Sequence, residues 1–107
     1  MQRLTISNAL ARLSEVSDPF VEVFTHGSLS LEIYKPGPVD QQQPHTRDEI
    51  YVVATGHGNF ELEGKRQPVD TGEVLFAPAG ARHKFVDCSD DFSTWVMFYG
   101  PEGGEAA

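Results

Sequence analysis

From residue 20 onward the apolar positions of this chain recur mostly at every second residue, the period of a half-buried strand. FVEVFT alternates around Phe20, Val21, Val23 and Phe24, and SLSLEIY puts Leu29, Leu31 and Ile33 on one face. EIYVVAT is β-branched and apolar, and Gly56-His57-Gly58-Asn59 then turns the chain into NFELEG. EVLFAP stops at Pro78-Ala79-Gly80, and RHKFVDC and FSTWVMFY complete the series. Helical spacing is found over residues 6–14, ISNALARLS, where Ile6, Leu10 and Leu13 share a side and Ser7 is the expected N-cap. Asp18-Pro19 ends that helix, because a residue before proline avoids the α region. Prolines 36, 38 and 44 mark a loop, and the Gly-rich, acidic end GPEGGEAA is expected to be disordered.

Short strands punctuated by Gly and Pro predict an all-β fold, a sandwich or a barrel. The 107 residues make one domain: a helical extension over 1–17, a barrel over 18–100 and a flexible tail over 101–107. A net charge of −8 leaves no basic stripe for nucleic acid and disfavours anionic membrane surfaces. No apolar run is long enough to span a bilayer, and the first residues lack a charged-then-apolar signal pattern. The single cysteine, Cys88, excludes an internal disulfide framework, so a reducing cytoplasm is the expected setting. Its opposite parity to His83 turns Cys88 away from the candidate site described next, as a buried, inert thiol.

The candidate chemistry lies in two blocks. The first runs Gly37, five residues, Gln43, one residue, His45, three residues, Glu49, six residues, Gly56. The second runs Gly72, five residues, Pro78, one residue, Gly80, two residues, His83, three residues, Asp87. Gln43, His45, Glu49 and His83 are four possible ligands for a divalent transition metal. On a strand Gln43 and His45 would face one way, and Glu49 would share that parity if the strand ran unbroken. Asp87 is either a carboxylate supporting a ligand histidine or a strand-end acid satisfying local amides. Tyr51, Phe85, Trp95, Met97 and Tyr99 either line an apolar pocket or belong to the core or an interface. His26 and His57 read as surface residues, as do Arg47 and Arg82.

These blocks resemble the two conserved motifs of the cupin superfamily. There the first motif is Gly, five residues, His-x-His, three or four residues, Glu, six residues, Gly. The second is Gly, five residues, Pro-x-Gly, two residues, His, three residues, Asn. Gln43 stands in place of the first His and Asp87 in place of the Asn. The resemblance implies a double-stranded β-helix, or jelly-roll barrel, with a short N-terminal helix. It also implies a divalent ion (zinc, iron, manganese or nickel), a small-molecule ligand or substrate, and a homodimer. A mixed Gln, His, Glu, His zinc set is similar to that of the phosphomannose isomerases of the same superfamily. Three functions stay open: a metal-dependent dioxygenase, isomerase or lyase, a non-catalytic binding module, and a barrel whose metal site has degenerated.

Overall fold

The computed structural model describes residues 3–40 and 42–106. Helix α1, Ile6–Leu13, precedes eight strands: β1 Phe20–His26, β2 Leu29–Tyr34, β3 Asp48–Thr55 and β4 His57–Leu62. The series continues with β5 Lys65–Asp70, β6 Val74–Ala77, β7 His83–Val86 and β8 Ser93–Tyr99. They form an antiparallel five-stranded sheet in the order β1-β2-β8-β3-β6 and a three-stranded sheet in the order β5-β4-β7. The two sheets face each other, and the core between them is aromatic. Tyr51 from the large sheet meets Phe85 from the small one edge-on, with ring centroids 5.0 Å apart. Phe60 and Phe92 complete the stack on Phe85. The alternation predicts an all-β sandwich or barrel, and this is the double-stranded β-helix that the resemblance implies. No helix among the described residues is long and apolar enough to cross a membrane.

The helix begins one cap earlier than the sequence suggested. Thr5, not Ser7, is the N-cap, its hydroxyl accepting from the Asn8 amide at 3.1 Å. Ala9 and Leu13 bury against Ile33 and Ala54 on the outer side of the large sheet. That packing decides which way β2 faces. Leu31 and Ile33 lie on the outer side, while Ser30, Glu32 and Tyr34 take the alternate, inward positions. The polar face of this strand is therefore the one turned toward the interior.

The last residues were expected to be disordered. In the fold they turn back: the Gly103 amide donates to the Thr46 carbonyl at 2.7 Å and the Glu105 amide to Asp48 Oδ2 at 2.8 Å. Asp48 Oδ1 accepts from the Ala79 amide at 2.9 Å, so one carboxylate ties the chain end to the turn after β6. These two amides hold its pKa below the usual carboxylate value.

Candidate metal centre and its cavity

β3 and β7 bring the strongest donors together from opposite sheets. Glu49 and Tyr51 alternate inward along β3, and His83 opens β7 on the facing sheet. Glu49 is 1% exposed. His83 Nε2 lies 2.8 Å from Glu49 Oε1, and His45 Nε2 lies 3.9 Å from Glu49 Oε2. His45 comes from the loop before β3 and is more accessible, its ring packed edge-on against Phe98 at 4.9 Å. One donor atom from each of His45, Glu49 and His83 falls within 4.8 Å of the others.

Neighbouring backbone fixes the two imidazoles. His83 Nδ1 sits 2.9 Å from the Ala81 carbonyl, which calls for a proton on Nδ1 and leaves Nε2 turned to Glu49. The Pro78–Gly80 turn positions the other histidine. Gly80, at a left-handed φ of 80°, donates its amide to the His45 carbonyl at 2.7 Å. The second block thus holds a residue of the first.

The contacts among the donors are not good hydrogen bonds. Both oxygens of Glu49 and Nε2 of His83 are fully buried, and none has a hydrogen-bond partner among the described residues. Burial of such atoms without partners costs about 1–3 kcal/mol each. Orphaned imidazole and carboxylate donors pointing at a common centre fit a divalent cation. Burial lowers the pKa of His45, outweighing the pull of Glu49. For His83 burial acts in the same downward sense, but the Glu49 carboxylate and the Ala81 carbonyl overcome it and the net shift is upward.

Among the described residues the glutamine that reaches this cluster is Gln42. Its Oε1 accepts from the Tyr51 hydroxyl at 2.9 Å and lies 3.4 Å from His45 Nε2. Gln43 is exposed and lines a neighbouring cleft with Arg82 and Lys84. The physical reason is that residues 42–47 form no strand, so alternation does not carry from Gln43 to His45. Asp87 contacts neither ligand histidine. It takes a left-handed φ of 49°, which Asp tolerates, and its exposed carboxylate pairs with Arg66 at 3.2 Å. That turn also breaks the parity count for Cys88, which is half-buried against the core near Gly58, with a thiol pKa raised by burial. His26 and His57 are exposed. Arg47 donates to the Ser28 carbonyl, its guanidinium 6.0 Å from the Phe98 ring.

A cavity of about 430 Å³ opens beside His45 and Glu49. Phe20, Val39, Val96 and Phe98 supply its apolar surface. Of the aromatic candidates, Tyr51 and Phe85 are core and Trp95 packs with the helix cluster. Glu32 lines the cavity too, a residue the sequence did not single out. Its carboxyl is pushed up to about 7 by burial, then by the charges of Glu22 and Glu49.

Comparison with known proteins agrees with the geometry. An uncharacterized protein of Streptomyces coelicolor is 36% identical over 75 residues, covering 70% of this chain and 71% of its own. An acireductone dioxygenase of Bacillus thuringiensis subsp. konkukian is 35% identical over 51 residues. That match spans 43% of this chain and only 30% of the dioxygenase. Protein SchB of Streptomyces halstedii is 28% identical over 79 residues, 72% of this chain and 56% of its own length. Among solved structures, KdgF from Halomonas sp. superposes with a TM-score of 0.66 at 25% identity, over 75% of this chain and 76% of that one. A cupin 2 conserved barrel protein from Salinispora arenicola gives 0.68 at 20% identity, over 94% and 87%. The Cupin domain family itself matches residues 30–99, the stretch that holds every donor, and the chain belongs to that family.

Proposed function

We propose that the protein is a metal-dependent enzyme acting on a small, uncharged organic molecule. The observation that carries this is the buried Glu49 carboxylate, unpartnered and aimed with two imidazoles at one point beside a cavity. His45, Glu49 and His83 would hold the ion, and zinc, iron, manganese and nickel all suit such a set. A bound ion supplies Lewis acidity or, for iron, redox chemistry, within reach of dioxygenation, isomerisation and lyase reactions.

The chain's own residues account for the rest. Phe20, Val39 and Phe98 would bind an apolar portion of the substrate. No lysine or arginine is among the described residues that line the cavity, so a carboxylate or phosphate would find no counter-ion there. Glu32 titrates near neutrality and lines the same cavity as His45, so it is suited to taking or giving a proton to a bound molecule. The name of the dioxygenase relative supports oxygen chemistry, although the shared segment is a minor part of that protein.

The test is elemental analysis of protein purified without a nickel column, followed by turnover of small enediol and carbonyl compounds with oxygen uptake recorded. Stoichiometric metal with turnover supports an enzyme. Metal and ligand binding without turnover would make the barrel a binding module, and absence of metal would sink the metal reading.

We also propose that two copies pair through β6. Val74 is 66% and Phe76 48% exposed on this edge strand of the large sheet, and pairing would cover them. Light scattering should report a dimer that Phe76→Lys dissociates.

A further inference from the structure

The loop between β2 and β3 contains one carboxylate engaged on every side. Asp40 Oδ1 accepts from the Tyr34 hydroxyl at 2.5 Å and from the Gln42 amide at 3.1 Å. Asp40 Oδ2 accepts from the Phe85 amide of β7 at 2.8 Å and from the Gln42 side-chain nitrogen, also at 2.8 Å. Tyr34 ends β2 of the large sheet, and Phe85 lies on an edge strand of the small one. Asp40 therefore fastens the loop across the gap between the sheets, at the rim of the cavity.

The last of those bonds has a directional consequence. A carboxylate accepts and cannot donate, so it selects the nitrogen end of the Gln42 amide. The oxygen end must then point the other way, toward Tyr51 and the donor cluster. A carbonyl oxygen has two lone pairs. Tyr51 occupies one at 2.9 Å, and the 3.4 Å approach of His45 Nε2 is too long to be a strong bond on the other. Donation from the Gln42 nitrogen to Asp40 also pushes electron density onto the amide oxygen, which makes it a better ligand for a cation.

We propose that Gln42 supplies a fourth, neutral oxygen donor to the metal centre and that Asp40 is the positioning residue that aims it. The proposal rests on the metal-centre assignment made above and goes beyond it. Gln43, one residue on and exposed, has no part in this arrangement.

The experiment is calorimetric titration with Zn²⁺, repeated with Co²⁺ to read the visible absorption of the bound ion. Wild type, Gln42→Ala, Gln43→Ala, Asp40→Asn and the double variant Asp40→Asn/Gln42→Ala are compared, with thermal melting as a folding check. Gln42→Ala and Asp40→Asn should each weaken Zn²⁺ binding about tenfold or more and alter the Co²⁺ spectrum in the same way. The double variant should be no weaker than Gln42→Ala alone, because Asp40 acts only through the amide. Gln43→Ala should match wild type. An affinity unchanged in Gln42→Ala would overturn the proposal, as would a further loss on adding Asp40→Asn, which is what a purely structural Asp40 would give. Should Asp40→Asn fail to fold, Gln42→Ala against Gln43→Ala still decides. A wild type that binds neither ion would refute the metal centre itself, a result distinct from wild-type binding indifferent to Gln42.

Discussion

The candidate centre draws its donors from two kinds of support, and they behave differently. Glu49 and His83 stand on strands of opposite sheets, buried to 1% side-chain exposure. His45 and Gln42 stand on a loop, with the His45 side chain 35% exposed. The strand-borne pair is preset by the core, since the packing of Tyr51 on Phe85 fixes the approach of β3 to β7. The loop-borne pair is held by polar links, the Gly80 amide for His45 and the Asp40 carboxylate for Gln42. Sheets thus supply fixed charge, and the loop supplies the donors nearest the cavity and solvent.

Removing one donor of each kind gives the largest contrast. His83→Ala removes the imidazole whose Nε2 lies 2.8 Å from the buried Glu49 carboxylate, the nearer of two that can offset its charge when protonated, and is expected to cost about 3 kcal/mol in the metal-free protein. His45→Ala removes a partly exposed ring and should cost less than about 1 kcal/mol. Both should weaken metal binding at least about a hundredfold. Urea unfolding of the two metal-free variants measures the difference, and equal losses would erase the distinction between sheet and loop.

The pH dependence separates the two histidines next. The raised pKa of His83 adds stability below the ordinary imidazole value of about 6.5, and that stability is lost as pH rises through the raised value. The lowered pKa of His45 acts on the other side: the fold loses stability as pH falls below about 6.5. On the acid side the metal-free protein should therefore gain stability relative to His83→Gln and lose it relative to His45→Gln, and above about 6.5 it should match His45→Gln. Metal binding needs both rings neutral, so its affinity should climb with pH while the His83 contribution to metal-free stability declines. Melting curves and titrations across that range check both trends.

Glu32 is a smaller case on the cavity side. A carboxyl raised to about 7 destabilises the fold as pH climbs from its ordinary value of 4.5 through 7, because the native state resists ionisation. Glu32→Gln should thus stabilise by roughly 1 kcal/mol at pH 8, after discounting for partial exposure, and by nothing at pH 4. That corresponds to a few degrees in a melting curve. A variant with wild-type melting at both pH values would show that Glu32 is not held in the way described. Smallest of all, His26→Ala/His57→Ala should leave metal stoichiometry unchanged, since both residues are exposed and neither belongs to the His45, Glu49 and His83 group.

The contrast between strand and loop also explains what could be read from the residues alone. Period-two alternation marked the strands apart from β5, whose KRQPVD is polar, carries Pro68 and shows no apolar alternation, and within β3 Glu49 and Tyr51 lie on one face. The spaced glycines and Pro78 gave the family, and Gly80 does hold His45. Alternation has no meaning in the loop, where parity pointed to Gln43 and the structure directs Gln42 inward. Asp40 was invisible for the same reason: its partners Tyr34 and Phe85 are brought together only by the folded sheets. Glu32 was hidden by a different rule. Leu29, Leu31 and Ile33 advertised an apolar face on β2, but that side packs outward toward the helix, and the polar positions face the cavity. A Ser-x-Glu-x-Tyr stripe opposite an apolar one was the available signal.

The most direct test of the metal centre is anomalous diffraction from crystals of the protein grown with Zn²⁺. One strong peak within bonding distance of His45 Nε2, Glu49 and His83 Nε2 is the expected result. A map with no peak between these residues, or with zinc only on His26 or His57, would contradict the assignment.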